Sequence, residues 1–397
     1  MIRNNTLTPN EMHSVNRSAI LDFIRRYGPT SRPSIARELH FSLPTVMRII
    51  DELMAEQLIL PTGETEYSGG RRRPLLEINS KANVIIGIDL GGTAIYGAAT
   101  DLCGNVLVES RAENLPAPAE ASYARLTRLI ENLLHHEDIA GRKVLGLAVG
   151  TQGLTSHQEG IVLRDPIQNW TDYPLEHKLN QDFGVPVVID NDVYLAALGE
   201  LWFGVDQNAR NMVFITIGNG IGAGMIIDGA LYRSTHYLAG EIGYILPGMQ
   251  DLGKRRGPFG ILESQASLPA IAERAQALLA SQNHNVAAAN TTPEGIFKAM
   301  LDQQPWAVQI IDEMVDYLAM AVANTCALLD PDLIVLRSGL DLYTDLLIEP
   351  ILKRIEGVVP IKPRLVASKL GYRATALGAI VEVLYDTNNF YSIRKLR

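Results

Sequence analysis

Residues 84–93 read Val-Ile-Ile-Gly-Ile-Asp-Leu-Gly-Gly-Thr, a buried-strand pattern that runs directly into a tight turn at Gly91 and Gly92. Unbroken apolar runs of this kind are typical of strands covered on both faces, and paired glycines let backbone N–H groups approach an anion. A second cluster, residues 218–224, reads Gly-Asn-Gly-Ile-Gly-Ala-Gly and follows another apolar run. Each cluster alone would also fit a simple hairpin turn. Together they predict a two-lobed α/β scaffold of the phosphate-transfer type.

Neither cluster matches the common nucleotide motifs. No Gly-Lys-Ser/Thr follows either of them, which excludes a P-loop. Gly91 and Gly92 also lack the third glycine of a Rossmann fingerprint.

Beyond residue 81 the chain alternates short apolar runs with helical stretches, and this alternation predicts α/β layers. Strands are expected near residues 84–90, 94–100, 106–108, 144–149, 185–189, 212–217 and 333–336, and helices near 123–134, 194–201, 310–329 and 346–355.

Length and cysteine content limit the class of protein. With 397 residues the chain is too long for one ordinary core, so several domains are expected. Cys103 and Cys326 lie far apart and outside metal-ligand spacing, which favours a reducing compartment and two small core residues. Residues 1–11 lack the apolar core of a signal peptide, and no stretch is apolar enough to span a bilayer. A cytoplasmic protein with no membrane partner is expected.

Charge is unevenly distributed along the chain. Residues 1–80 contain ten Arg, no Lys and nine Asp or Glu, a balance of +1, whereas the remaining residues contain 25 basic and 35 acidic side chains, a balance of −10. An acidic body does not attract nucleic acid, so any DNA contact must come from the N-terminal segment. Arg is well suited to bidentate phosphate and guanine contacts.

Three helices are predicted before residue 56. The first has apolar residues on one face and ends at Gly28, Ser31 can cap the second, and Ser42 can cap the third. The apolar set of the first helix is Ala19, Ile20, Phe23, Ile24 and Tyr27, and that of the third is Leu43, Val46, Met47, Ile50 and Leu53. At the start of the third helix Ser42, Pro44, Thr45 and Arg48 remain outward, short polar or cationic groups that could reach base edges as in a recognition helix.

Two further apolar runs, residues 58–60 and 75–78, bracket a polar turn as the strands of a wing would. Gly69 and Gly70 stand in this turn, Arg71, Arg72 and Arg73 follow, and Pro74 stiffens the return. Such a finger could follow a phosphate backbone or enter a minor groove, although a solvated linker has the same composition. We predict a winged helix-turn-helix domain over residues 1–80. Its predicted DNA-binding residues are Ser31, Arg32, Ser42, Pro44, Thr45, Arg48, Arg71, Arg72 and Arg73.

The ordered motifs resemble the ROK family, which groups sugar-responsive repressors with sugar kinases on the actin/hexokinase-like fold. The resemblance covers residues 15–379 approximately. In the N-terminal domain it includes Ser31-Arg32, Thr45-Val46, residues 51–53 and 69–72, and in the body it includes residues 89–93, 190–192, 196–200, 220–224, 239–243 and 262–263. The kinases of the family lack the winged helix, so the resemblance implies the repressor branch. It also implies a smaller lobe of residues 81–190 plus about 380–397, and a larger lobe of residues 191–379.

The resemblance implies roles for particular residues. A sugar is best held by fixed carboxylates and amides, and the sugar-binding residues implied here are Asn191, Asp192, Glu241, Tyr244 and Glu263. Asp192 matches the general base of the kinases. The vestigial phosphate-binding residues implied are Asp89, Gly91, Gly92, Thr93, Gly218, Asn219 and Gly220.

The sequence departs from the family at two places. The zinc segment of the family needs a His where Tyr244 stands, and residues 248–262 contain no Cys or His, so no structural zinc and no other cofactor are expected. Tyr244 could instead contact the sugar or fill the vacated metal pocket. On the nucleotide side, Ala94, Asn219 and Arg337 replace the family's basic residue, threonine and glycine. Arg337 should obstruct a nucleotide unless it turns away.

These features predict a repressor of a sugar-utilisation operon, released from operator DNA when a monosaccharide or its derivative binds in the cleft of the ROK domain. A homodimer or tetramer would place two winged helices on two half-sites. Two alternatives stay open. One is an ATP-dependent sugar kinase with an attached DNA-binding domain, and the other is a regulator controlled by a protein partner.

Overall fold

The computed structural model describes residues 8–68, 71–254, 260–281 and 291–388. The chain divides into two compact units. Unit 1 contains residues 1–190 and 379–397, and unit 2 contains residues 191–378.

Unit 1 begins with three helices, α1 (Pro9–Tyr27), α2 (Arg32–Glu38) and α3 (Leu43–Ala55). Both predicted caps are confirmed: the Ser31 hydroxyl accepts from the Ser34 N–H and the Ser42 hydroxyl accepts from the Thr45 N–H. The core of the bundle includes Val46, Ile49, Ile50 and Leu53 of α3, all 0% exposed. Each such side chain contributes about 1.5–3 kcal/mol of burial free energy.

The predicted apolar set of α3 is wrong at two positions. Leu43 and Met47 are 42% and 47% exposed, whereas Ile49 is buried. The outward face of α3 therefore carries apolar as well as polar side chains.

A three-stranded sheet completes the head of unit 1. It has the order β1 (Thr30–Ser31), β3 (Arg71–Ile78), β2 (Ile59–Ser68), and β2 pairs antiparallel with β3. This hairpin is the predicted wing. Gly69 and Gly70 lie outside the described residues.

The rest of unit 1 is built on a five-stranded sheet. Its elements in chain order are β4 (Asn83–Leu90), β5 (Ala94–Thr100), β6 (Val106–Glu113), α4 (Ala119–Leu134), β7 (Lys143–Thr151), β8 (Leu154–Ser156), β9 (Ile161–Asp165), β10 (Trp170–Tyr173), α5 (Leu175–Phe183) and β11 (Val187–Asn191). The large sheet has the order β11-β7-β4-β5-β6, and β8, β9 and β10 form a small separate sheet.

Unit 2 repeats this arrangement. Its elements are α6 (Asp192–Phe203), β12 (Met212–Ile217), β13 (Ile221–Ile227), β14 (Ala230–Leu231), α7 (Glu263–Ala266), α8 (Leu268–Ser281), α9 (Pro293–Leu301), α10 (Pro305–Leu329), β15 (Leu333–Ser338), α11 (Asp345–Ile355), β16 (Leu365–Ala367) and α12 (Ala374–Asn388), which continues into unit 1.

The two large sheets share one topology. In unit 1, β4 pairs antiparallel with β5 and parallel with β7; in unit 2, β12 pairs antiparallel with β13 and parallel with β15. In each sheet a glycine turn joins the first two strands, so the two turns occupy equivalent places. None of the helices in the described parts of the chain has the length and apolarity that crossing a membrane requires.

Candidate functional site

The second glycine turn, residues 218–220, joins β12 to β13 in unit 2. It is shorter than the sequence pattern indicates, because Ile217 already pairs with Ile221 and the later glycines belong to β13. The Gly218 N–H donates to the Gly220 carbonyl at 2.8 Å, and the Leu268 N–H donates to the Gly218 carbonyl at 3.0 Å. The turn is therefore held from both its own strand and α8.

Glu263, the first residue of α7, lies against this turn. A Cβ atom at Gly220 would stand 2.3 Å from Glu263 Oε1. The Glu263 carboxylate accepts from the backbone N–H groups of Gly260, at 3.3 Å, and of Ile221. Glycine at position 220 thus makes room for a carboxylate that backbone donors hold in place.

Glu241 is positioned by the same strand, β13. Gly240 has a φ of +87°, and a Cβ there would lie 1.8 Å from the Ala223 carbonyl oxygen, so only glycine fits. The Ala223 N–H donates to the Gly240 carbonyl at 2.7 Å. The backbone just before Glu241 is thereby fixed on the strand that also supports Glu263.

Glu241 and Glu263 form what we name the carboxylate pair. Both are half-buried. Burial raises the pKa of Glu241, and the negative charge of Glu263 raises it further. Burial also raises the pKa of Glu263, although its backbone donors act in the opposite direction. Among the described residues, neither carboxylate has a Lys or Arg ion-pair partner. Such a pair can accept hydrogen bonds from the hydroxyls of a neutral ligand.

Asn191 and Asp192 begin α6, which packs on the same strand. Asn191 Oδ1 accepts from the N–H groups of Val193 and Tyr194 at 3.0 and 3.2 Å and so caps the helix. A Cβ at Gly224 would lie 2.6 Å from the Val193 carbonyl, so β13 needs glycine for this close packing. Asp192 is in the first helical turn, where the helix dipole favours a carboxylate.

Tyr244 follows the carboxylate pair in sequence but is 57% exposed. By the resemblance to the family, Tyr244 occupies the sequence position of a histidine zinc ligand, and a phenol is not part of a tetrahedral zinc set of Cys and His ligands. The residues present therefore do not fit the zinc of the family.

The first glycine turn lies between β4 and β5 of unit 1. A Cβ at Gly91 would come within 2.8 Å of the Ala94 carbonyl, while Asp89 at the end of β4 is buried and Gly92 and Thr93 complete the turn. Asn114 was not among the predicted site residues, yet its side chain donates to the Gly91 carbonyl at 2.7 Å and its N–H donates to the Thr93 carbonyl at 2.9 Å. Asn114 therefore braces this turn.

Arg337 lies on β15, beside the second glycine turn. We use the name Arg337 cluster for Arg337, Glu200 and Asp341. Its Nε is 3.5 Å from Asp341 Oδ1, and its side chain is only 17% exposed. Glu200, which is fully buried, has its pKa raised by burial; the Ser368 hydroxyl, which donates to it, and the charge of Arg337 oppose this. The structure thus pairs Arg337 with the Asp341 carboxylate beside the second glycine turn.

The outward face of α3 collects the predicted recognition residues. Ser42, Pro44 and Arg48 are exposed, and the Thr45 hydroxyl is 2.7 Å from the Ser42 hydroxyl. Arg48 keeps a 61% exposed side chain 3.6 Å from Glu52. These groups are concentrated at the N-terminal end of the helix, which is the end that enters a groove in helix-turn-helix proteins.

The acidic groups further along α3 have basic partners. Asp51 is 2.9 Å from Arg32, and Glu52 is 2.8 Å from His13. These contacts reduce the negative charge that this face would present to a phosphate backbone.

In the wing, Arg72 is exposed opposite Tyr67, which is itself 76% exposed and was not among the predicted residues. Arg73 is opposite Glu66, and Arg71 begins β3 opposite Ser68. Ser31, unlike Arg72, is buried. Its hydroxyl caps α2 and donates to Glu66 at 2.7 Å. The structure gives Ser31 a role in holding the wing to α2 and leaves it no surface to present to DNA.

The fold and its sites define a class: a winged helix-turn-helix domain followed by an α/β body of the sugar-kinase type. The model of the ROK family matches residues 85–384, and the chain belongs to the ROK family, as the motifs predicted.

Both regulators and kinases are similar to the chain. The xylose repressor of Caldicellulosiruptor bescii is 29% identical over 389 residues, which cover 96% of this chain and 98% of that protein. The glucokinase of Halalkalibacterium halodurans is 30% identical over 311 residues, which cover 74% of this chain and 90% of that protein. A solved ROK family transcriptional regulator, a homologue of the Escherichia coli MLC protein, has a TM-score of 0.82 and 26% identity and covers 97% of this chain and 100% of its own.

Proposed function

We propose that this protein is a DNA-binding repressor of a sugar-utilisation operon, released from its operator when a monosaccharide or sugar derivative binds to unit 2. The observation that carries the proposal is the presence in one chain of an exposed recognition helix and a carboxylate pair without a protein cation in the described residues. Similarity to a xylose repressor over nearly the whole chain supports it. Xylose is accordingly the first effector to test.

The proposed contacts divide between the head and unit 2. Ser42, Pro44, Thr45 and Arg48 would read a major groove, and Arg71, Arg72 and Arg73 would follow phosphates or enter a minor groove. Arg32, whose side chain is 26% exposed and paired with Asp51, remains a proposed DNA-binding residue. The proposed sugar-binding residues are Asn191, Asp192, Glu241, Tyr244 and Glu263. A homodimer or tetramer would bring two heads to one operator.

The sugar acts as a switch only if it binds the DNA-free and DNA-bound states with different affinities. A ratio of ~100 between those affinities corresponds to roughly 2.7 kcal/mol of coupling.

The test begins with selection of bound duplexes from a random DNA pool, followed by anisotropy titrations of the recovered sequence. Xylose, glucose or N-acetylglucosamine is then added at millimolar concentration. The proposal expects one sugar to weaken DNA binding about 10-fold or more. Arg48→Ala should weaken it about 10-fold without sugar, whereas Arg37→Ala, an exposed arginine on α2, should change it little. Failure to select any sequence, or a sugar that binds without changing DNA affinity, would refute the proposal.

A sugar kinase with a DNA-binding domain is the second candidate. Asp192 at the start of α6, both glycine turns and the glucokinase relative favour it. In our proposal these residues, Asp89, Gly91, Gly92, Thr93, Gly218, Asn219, Gly220 and the base Asp192, are vestigial. Release of ADP from MgATP in the presence of one of the sugars, abolished in Asp192→Asn, would establish the kinase instead.

A further inference from the structure

Outside these sites, three potential metal ligands converge in unit 1. Within residues 8–68, 71–254, 260–281 and 291–388, His157, Asp190 and Glu382 are the one group of three His, Cys, Asp or Glu side chains whose ligand atoms all lie within 4.8 Å of one another. His157 follows β8, Asp190 lies near the end of β11, and Glu382 is on α12. Three separate elements therefore supply one group.

The group is buried and rich in negative charge. Asp190 and Glu382 are 2% and 5% exposed, and the His157 side chain is 25% exposed. Two carboxylates buried together are stabilised by a positive charge among them. A bound cation can provide such a charge.

The second contact of His157 determines which of its nitrogens can bind an ion. Nδ1 is 3.1 Å from the Ile189 carbonyl oxygen. A carbonyl oxygen only accepts, so Nδ1 carries a proton and donates it. In the neutral ring, Nε2 then carries the lone pair, and it lies 3.6 Å from Glu382 Oε1. Two acceptors in this arrangement attract each other only through a proton or a metal ion between them.

We propose that His157 Nε2 and one oxygen each of Asp190 and Glu382 form a divalent-cation site of the zinc class, with an open position for water. Two ligands about 2.1 Å from a tetrahedral zinc ion lie about 3.4 Å apart, close to the 3.6 Å between Nε2 and Oε1. A ligating histidine is commonly oriented by a hydrogen bond from its other nitrogen to a carbonyl, which is the role of Ile189. This site is distinct from residues 248–262, where the family places its zinc.

The position of the site indicates what the ion would do. The chain leaves unit 1 directly after Asp190 and re-enters it at Ala379, three residues before Glu382. The ion would bind β11 to α12 and so hold, within unit 1, both segments through which the chain passes to unit 2. It would act as a structural ion that stabilises unit 1.

The experiment uses the full chain, treated with a chelator and then incubated with Zn²⁺ at pH 7.5. Bound zinc is measured by mass spectrometry after gel filtration, and the affinity by competition with a chromophoric chelator. We expect one zinc per chain and a higher melting temperature. His157→Gln and Glu382→Gln should each weaken binding by about 100-fold or more.

The matched control is His135→Gln. His135 also has its Nδ1 near a backbone carbonyl, that of Glu131 at 2.8 Å, but is not part of a group of three ligands in the described residues. It should retain one zinc. If His157→Gln does not fold, Glu382→Gln decides the matter. Absence of stoichiometric zinc in the natural protein, or its retention in a folded His157→Gln or Glu382→Gln variant, would overturn the proposal.

Discussion

The carboxylates on the two sides of the second glycine turn in unit 2 lie in different electrostatic surroundings. On one side, burial raises the pKa values of Glu241 and Glu263, and the charge of Glu263 raises that of Glu241 further. Neither carboxylate has a Lys or Arg ion-pair partner among the described residues. On the other side, Asp341 pairs with Arg337, and the charge of Arg337 also acts on Glu200.

The difference distinguishes a surface that can bind a ligand from one where a protein cation already balances the carboxylate charge. Carboxylates that remain without a cation keep a free-energy cost that a ligand with hydroxyl donors can offset. An arginine paired with a protein carboxylate has no such capacity, and Arg337 occupies space beside the second glycine turn. This comparison supports a protein that binds a sugar but not a nucleotide.

The largest effect is expected from Arg337→Met. Removing the guanidinium leaves Asp341 without its ion-pair partner and takes away a positive charge that acts on buried Glu200, which should lower the free energy of unfolding by about 3 kcal/mol. Differential scanning calorimetry of the full chain measures the loss. The control is Arg210→Met, whose ion pair with Asp228 is short, 2.8 Å, but exposed on both sides, so its loss should cost less than about 1 kcal/mol. Equal losses of the free energy of unfolding in the two variants would show that the Arg337 cluster stabilises the protein no more than an exposed ion pair does.

Glu241→Gln should have the opposite effect on stability. It removes one of two repelling charges, so the melting temperature of the sugar-free protein should stay the same or rise. Affinity for the effector sugar should fall about 10- to 100-fold, because a charged acceptor is lost. Calorimetric titration checks this, with Glu273→Gln at an exposed position as the control. A lower melting temperature with unchanged sugar affinity would mean that Glu241 is structural.

A smaller effect is expected at Asp165 in unit 1, another buried carboxylate. Burial raises its pKa to about 6, although the backbone N–H groups of Ile167 and Gln168 donate to it. Its pKa in the unfolded chain is about 3.9. Between these values the folded state holds more protons than the unfolded state, so stability is present below about pH 4 and is lost as the pH rises through 6.

Asp165→Asn keeps the acceptor for both N–H groups and cannot ionise. It should remove this dependence and stabilise the protein at pH 7 by about 1–2 kcal/mol. Melting temperatures at pH 4.5 and 7 measure the pH dependence of stability. The control is Asp172→Asn, at an exposed position. The same pH dependence in Asp165→Asn and the natural protein would exclude Asp165 as its source.

Local patterns were sufficient to predict the head and the sheet strands. Caps at Ser31 and Ser42 depend only on residues three positions away, so the sequence shows them directly. Leu43 and Met47 were misassigned because an apolar residue at helical spacing does not reveal which face a neighbouring element covers.

Contacts between distant segments could not be predicted in the same way. The carboxylate pair joins residues 22 positions apart, and only the resemblance to the family indicated it. Arg337 was expected to obstruct a nucleotide, but its pairing with Asp341 depends on the path of the chain after β15. Asn114 and Glu382 carry no motif, and their roles became visible only from the folded chain.

The central claim is that the sugar side is functional and the nucleotide side is not. The most direct measurement is the melting temperature of the full chain with each of a panel of monosaccharides, with and without ATP and magnesium, since a ligand of the native state raises it by mass action. We predict that one sugar raises the melting temperature equally with and without ATP and that ATP alone has no effect. A rise with ATP alone, or conversion of the sugar to a phosphorylated product, would contradict this account.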